Sequence, residues 1–180
     1  MLWGAIVGDI VGSVYEFDNI KTKDFPLFSE HGFITDDSCM TIAVADSLMR
    51  WRRDGGDLQS AARKSMRTIG RRFPNMGYGF RFARWLDNDD NESYDSWGNG
   101  AAMRVSAVGW IGQSISEVKR LSYMVTSVSH DHIEGIKGAE ATAISVFLAR
   151  TGKDKSDIAK YITKNYYDWC LSVPELQKKL

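Results

Sequence analysis

The tetrad Thr35-Asp36-Asp37-Ser38 sets two like charges side by side, between Ile34 and an apolar run that includes Met40, Ile42 and Val44. Asp, Ser and Thr are favoured at helix N-termini, and carboxylates in a first turn complement the helix dipole. One cap meets that need, so the second carboxylate asks for another cause. Hard divalent cations such as Mg²⁺ take oxygen ligands, and a threonine hydroxyl with two carboxylates is half a shell. Capping and cation binding both account for the tetrad.

Three other segments carry chemistry-bearing residues. Gly4, Gly8 and Gly12 recur every four residues and Glu16 continues the series, so on a helix they form one smooth stripe ending in a carboxylate. Each glycine costs roughly 1 kcal/mol relative to alanine inside a helix, which calls for close approach of a backbone or a ligand. Close helix packing with Glu16 in solvent explains the stripe equally well. In Ser96-Trp97-Gly98-Asn99-Gly100-Ala101-Ala102-Met103-Arg104, a glycine-containing loop feeds a helix, where backbone N–H groups can approach a phosphate. The plain alternative is a loop with Asn99 as cap and Arg104 as a surface cation. In Ser129-His130-Asp131-His132 the histidines are two apart and share no helical face, so zinc is disfavoured and His130 is a candidate ligand contact. Asp87, Asp89 and Asn91 mimic the start of an EF-hand, but Glu92 and Gly98 stand where glycine and glutamate are required, so that loop reads as solvated.

These residues need a scaffold, and the sequence predicts a helical one. Only Pro26, Pro74 and Pro174 interrupt it, and apolar residues recur at three- and four-residue spacing. Helices are expected over 2–16, 38–53, 57–73, 76–87, 100–113, 117–129, 133–150 and 155–168, an all-α fold of one domain spanning 1–180. Apolar residues at 43% and charged residues at 26% suit a packed globular chain. The 23 basic and 23 acidic residues leave no global field to draw nucleic acid or an anionic membrane. Cys39 and Cys170 are the only cysteines, which fits a reducing cytoplasm. The apolar N-terminus lacks a positive leader and is broken by Asp9, so it reads neither as a signal peptide nor as a membrane span.

In order and context, GAIVGDIVGSVYE (4–16), TDDSCM (35–40), GNGAAMR (98–104) and SHDHIEGIKGA (129–139) resemble the ADP-ribosylglycohydrolase family, over about residues 2–150. The resemblance implies an orthogonal multi-helical domain that removes ADP-ribose from protein side chains or small acceptors with two Mg²⁺ ions, Mn²⁺ being a substitute. It assigns Thr35, Asp36 and Asp37 as metal ligands and Glu16 as the carboxylate beside metals and ribose. It assigns Ser96, Trp97, Gly98, Asn99, Gly100 and Met103 to the ligand-binding loop, and His130 to a substrate contact.

The pattern breaks near the end. Family members usually close with a D-x-D-T or D-x-D-S helix that supplies the other metal ligands, and the nearest imitation here, GKDKSD at 152–157, is D-x-x-D and too early. The chain is expected to be family-like over 2–168 with a divergent tail at 169–180, a truncated member with an incomplete metal site and impaired turnover. Uncovered apolar surface is then expected to favour a homodimer. A catalytically inactive ADP-ribose-binding protein is the second reading. A helical HD-type phosphohydrolase, prompted by His130-Asp131 and needing His31 as a further ligand, is the third.

Overall fold

Met40, Val44 and Leu48 lie four residues apart on one face of α2 (Asp36–Asp54), and Leu58, Ala62 and Met66 do the same on α3 (Leu58–Arg72). Both stripes are fully buried and make the most extensive helix pairing of the fold. Val118, Leu121 and Val125 of α6 (Ile115–Thr126) meet Ala139, Ala143 and Ile144 of α7 (Ile133–Arg150) to extend the same core. The computed structural model describes residues 2–90 and 92–167. Its remaining helices are α1 (Trp3–Ser13), α4 (Phe80–Asp87), α5 (Ser106–Ile111) and α8 (Lys155–Asn165), with a 3₁₀ turn at Asn99–Ala101. No strand occurs among the described residues, so the all-α expectation holds. No described helix is long and apolar enough to cross a membrane. The divergent tail at 169–180, with Cys170, lies outside the described residues.

The sequence places most helices within a few residues of where they are found. The clear departure is 100–113, expected as one helix and found as the 3₁₀ turn followed by the short α5. The Met103 carbonyl accepts a hydrogen bond from Thr41 Oγ1 at 3.2 Å, so α2 satisfies part of the turn's backbone. Helix α1 stops at Ser13 instead of Glu16, because Ser13 Oγ donates to Ile10 O at 2.9 Å and accepts Phe33 N at 3.1 Å, turning the chain.

Trp3, Val7, Phe17, Leu27 and Phe28 are exposed on α1 and the segment after it, the surface on which the expected self-association would draw. Where helices do cross closely, a glycine permits it. A Cβ on Gly109 would stand 2.4 Å from Ala143 O and 2.7 Å from Val146 Cβ, so α5 and α7 touch through bare backbone. Around Gly4, Gly8 and Gly12 an added Cβ meets nothing within 4 Å. Close helix packing therefore does not explain the α1 stripe among the described residues.

The two kinds of glycine should respond oppositely to alanine in chemical denaturation. Gly109→Ala is expected to lose about 1–3 kcal/mol to overpacking against backbone. Gly8→Ala should gain up to about 1 kcal/mol from helix propensity.

Candidate functional site

The site begins with a residue that the sequence reading used only as an interruption. Asp9, on α1, accepts three bonds from the start of α2: Thr35 N at 2.8 Å, Thr35 Oγ1 at 2.6 Å and Ser38 N at 3.1 Å. Thr35 is itself the N-cap of α2, its Oγ1 accepting from Asp37 N at 3.3 Å. The N-terminal amides that a helix leaves unsatisfied are thus served by Thr35 and Asp9. Asp36 contributes its backbone N–H to Met76 O at 2.7 Å, but neither the Asp36 nor the Asp37 carboxylate accepts a hydrogen bond from another described residue. Capping does not use the two carboxylates. Asp9 was legible as the lone charge in an otherwise apolar helix, a signal that a partner had to be near.

Asp37 and Glu16 line one groove of about 460 Å³ with Gly4, Gly8, Gly12, Asp9 and Thr35. The glycine stripe is its floor. Asp36 instead lines a second recess of about 360 Å³, with Gly98, Gly100, Arg81, Arg104 and His130. Asn99 and Met103 line both, so the two spaces adjoin at the 3₁₀ turn. The sequence-predicted residues Glu16, Thr35, Asp36, Asp37, Ser96, Gly98, Asn99, Gly100, Met103 and His130 all border one or the other. Trp97 borders neither and its side chain stands 71% exposed.

Charge is unevenly spread over the two spaces, Asp36 standing on the recess side of a carboxylate group whose other members line the groove. Burial first, then Asp37, Glu16 and Asp9, push the Asp36 carboxyl up to about 6, and burial with Asp9 and Glu16 also raises Asp37. Four carboxylates crowd one end. At the other end Arg104, expected as a surface cation if the loop were ordinary, is fully buried, and burial lowers it to about 10. Its Nη2 donates to Ser129 Oγ at 2.8 Å and Thr126 O at 3.3 Å, while Nε and Nη1 have no partner among the described residues. His130 is buried too, and burial followed by Arg104 and Arg81 lowers it to about 3, so its ring is neutral.

Glycines let these parts meet. A Cβ on Gly100 would come within 2.9 Å of His130 Nε2, and one on Gly135 within 2.7 Å of Ser96 O, so the loop lies directly on the ring and on the first turn of α7. His132, not His130, caps α7, its Nδ1 accepting from Glu134 N at 3.1 Å. Asp131 holds the preceding loop by accepting from Ser93 Oγ at 2.6 Å and Asp95 N at 2.8 Å. His130 and Asp131 thus face different tasks, and His31 stands exposed on a loop, which leaves the HD-type reading without a shared metal site among the described residues. The acidic loop is solvated as expected, tied to α3 by Arg71 to Asp89 at 2.6 Å and Leu86 O at 2.7 Å.

The donor chemistry at the acid end suits a hard cation. Thr35 Oγ1, Asp36 and Asp37 offer oxygens, and the repulsion that raises both carboxyls is what a divalent charge would offset. Among the described residues no three His, Cys, Asp or Glu side chains form a metal-binding group, so by themselves these oxygens would make only part of a shell.

The ADP-ribosylglycohydrolase family model matches residues 1–180, and the chain belongs to that family. It is similar to ADP-ribosylhydrolase ARH3 of Mus musculus, 26% identical over 87% of this chain and 50% of the relative. The Homo sapiens protein of the same name is also 26% identical, over 87% and 50%, and the Gallus gallus one 26%, over 84% and 50%. The chain spans about half the length of the curated relatives it matches.

Two predictions follow from the acid end. Asp9→Ala should cost about 2–4 kcal/mol in denaturant unfolding, because a helix cap and two further charge-assisted bonds are lost together. The second concerns pH. Asp36 ordinarily ionises near 3.8 and here near 6, so the folded state holds that proton more tightly than the unfolded chain. Its contribution is fully present below 3.8 and lost as pH rises through 6. In metal-free protein the Asp36-dependent part of Tm should therefore fall between about pH 4 and pH 6. Asp36→Asn should flatten that part of the profile, and Mg²⁺ added near neutral pH should recover it.

Proposed function

We propose that this chain binds an ADP-ribosyl group across the two adjoining recesses and, with a divalent ion, hydrolyses the N- or O-glycosidic bond that links it to a protein side chain or a small acceptor. The observation that carries the reading is the junction at Asn99 and Met103, where a groove of carboxylates meets a recess containing two arginines and a neutral histidine. An ADP-ribosyl group has the matching division, with a diphosphate at one part and a ribose with vicinal hydroxyls at the other. Membership of the ADP-ribosylglycohydrolase family and similarity to proteins named ADP-ribosylhydrolase support the same substrate class.

Cleavage at the anomeric carbon develops positive charge on the ribose, and water must attack that carbon. Asp37 and Glu16 supply negative potential where the charge grows, in a groove whose glycine floor leaves room for the sugar. Glu16 is exposed and its carboxylate accepts no bond from another described residue, so it can take a proton from the attacking water as general base. The Gly98–Gly100 backbone, with His130 beneath it, seats the diphosphate, and Asn99 at the junction fixes how far the ribose reaches into the acid groove. A magnesium ion held by Thr35, Asp36 and Asp37 would supply polarisation and orientation of the oxygens bound to it.

Calorimetric titration of ADP-ribose with and without Mg²⁺, followed by an assay of ADP-ribose release from an ADP-ribosylated arginine protein, tests the reading. Binding in the micromolar to millimolar range and release lost in Asp36→Ala and Asp37→Ala are expected, each variant costing roughly 10- to 100-fold or more. Binding without release would establish the chain as an ADP-ribose-binding protein. Absence of ADP-ribose binding would exclude both, and Mn²⁺-dependent phosphate release would replace them with phosphohydrolase chemistry.

A further inference from the structure

We infer that Arg104 is a positioning residue: acting through Ser129, it fixes the neutral His130 ring with its proton on Nε2, so that the ring presents a single N–H donor to an anionic oxygen seated on the Gly98–Gly100 backbone. The identity of that oxygen as a phosphate oxygen rests on the function proposed above; the relay itself does not.

The inference starts from what a guanidinium can do. It has no acceptor, so in the 2.8 Å contact between Arg104 Nη2 and Ser129 Oγ the serine accepts. Ser129 is fully buried, and the other described partner of its hydroxyl is His130 Nδ1 at 2.9 Å. If Nδ1 carried the ring proton, Ser129 would accept twice and its own proton would be buried without an acceptor. The hydroxyl therefore donates to Nδ1, Nδ1 is bare, and the proton of the neutral ring is on Nε2. Nε2 is the ring atom nearest the place that a Cβ on Gly100 would occupy, 2.9 Å from it.

The ring cannot readily turn away. Tyr94 meets it edge-on at 5.5 Å between centroids and Phe82 lies tilted at 5.9 Å. Phe82 also lies under the Arg104 guanidinium at 5.6 Å, so one aromatic side chain holds both ends of the relay. Arg104 keeps two nitrogens without a described partner in a recess whose only lining carboxylate is Asp36. That uncompensated charge favours an anion as the acceptor.

The test uses the full chain labelled with ¹⁵N-histidine, which gives three rings, assigned with His31→Gln and His132→Gln. Long-range ¹H–¹⁵N spectra near pH 7 are expected to place His130 Nδ1 in the unprotonated range and Nε2 in the protonated range. Ser129→Ala should mix the tautomers, and Ser129→Thr, which keeps the hydroxyl, should restore the single form. In calorimetry with ADP-ribose, Ser129→Ala should weaken binding about tenfold and Ser129→Thr should recover it. A wild-type ring protonated on Nδ1, or a tautomer unchanged in Ser129→Ala, overturns the relay. A mixed tautomer with undiminished affinity overturns its use in binding. Wild-type protein that shows the Nε2 proton yet binds no ADP-ribose sinks the proposed function and leaves the relay standing.

Discussion

The arrangement of the acid groove depends on one carboxylate. Asp9 ties α1 to the first turn of α2 by three bonds, the hydrogen bonds that join these two helices among the described residues. Apolar packing is tolerant of rotation, whereas three donors converging on two oxygens are not. With Asp9 fixed, α1 is held in one rotation about its own axis. Gly8 and Gly12, one residue before Asp9 and three after it, then line the groove beside Asp37, and Glu16 completes its rim.

Asp9 differs from its neighbours in having its charge used. Its oxygens are taken up by amides and a hydroxyl, while the Asp36 and Asp37 carboxylates receive no bond from another described residue and are raised by burial and neighbouring carboxylates. A like-charged cluster of this kind is costly to folding and is retained where something offsets it in the working state. The basic recess mirrors that cost with opposite sign, since Arg104 is buried with two unsatisfied nitrogens and no carboxylate beside its donors. Carboxylates and a buried guanidinium thus stand on either side of a shared loop, the feature on which the proposed function rests.

How much of this was legible in the sequence depends on the kind of signal. Helix period located α2, α3 and α7 because their buried faces repeat strictly, as in Met40, Val44 and Leu48. It failed over 100–113, where the backbone is satisfied by Thr41 from another helix, a tertiary bond that no local pattern encodes. The tetrad 35–38 was visible as polar residues of the right type, but Asp9 as their partner was not, since a separation of 26 residues leaves no spacing rule to apply. The plain alternative for the 96–104 loop, with Arg104 as a surface cation, fails for a related reason. Arginine is rarely buried without a carboxylate, so composition alone argues for the surface, and only the packing of Phe82, Thr126 and Ser129 around it shows otherwise.

The tetrad also shows that two explanations weighed against each other in sequence are compatible in structure. A hydroxyl has one proton and two lone pairs. Thr35 gives its proton to Asp9 and one lone pair to Asp37 N, which completes the cap of α2. One lone pair remains, and the bond to a carboxylate makes that oxygen more electron-rich and so a better donor to a cation. Capping does not compete with ligation here. The bond to Asp9 that positions the helix is the same bond that would tune the oxygen, so a change at Asp9 acts on the fold and on the candidate cation site through a single hydrogen atom.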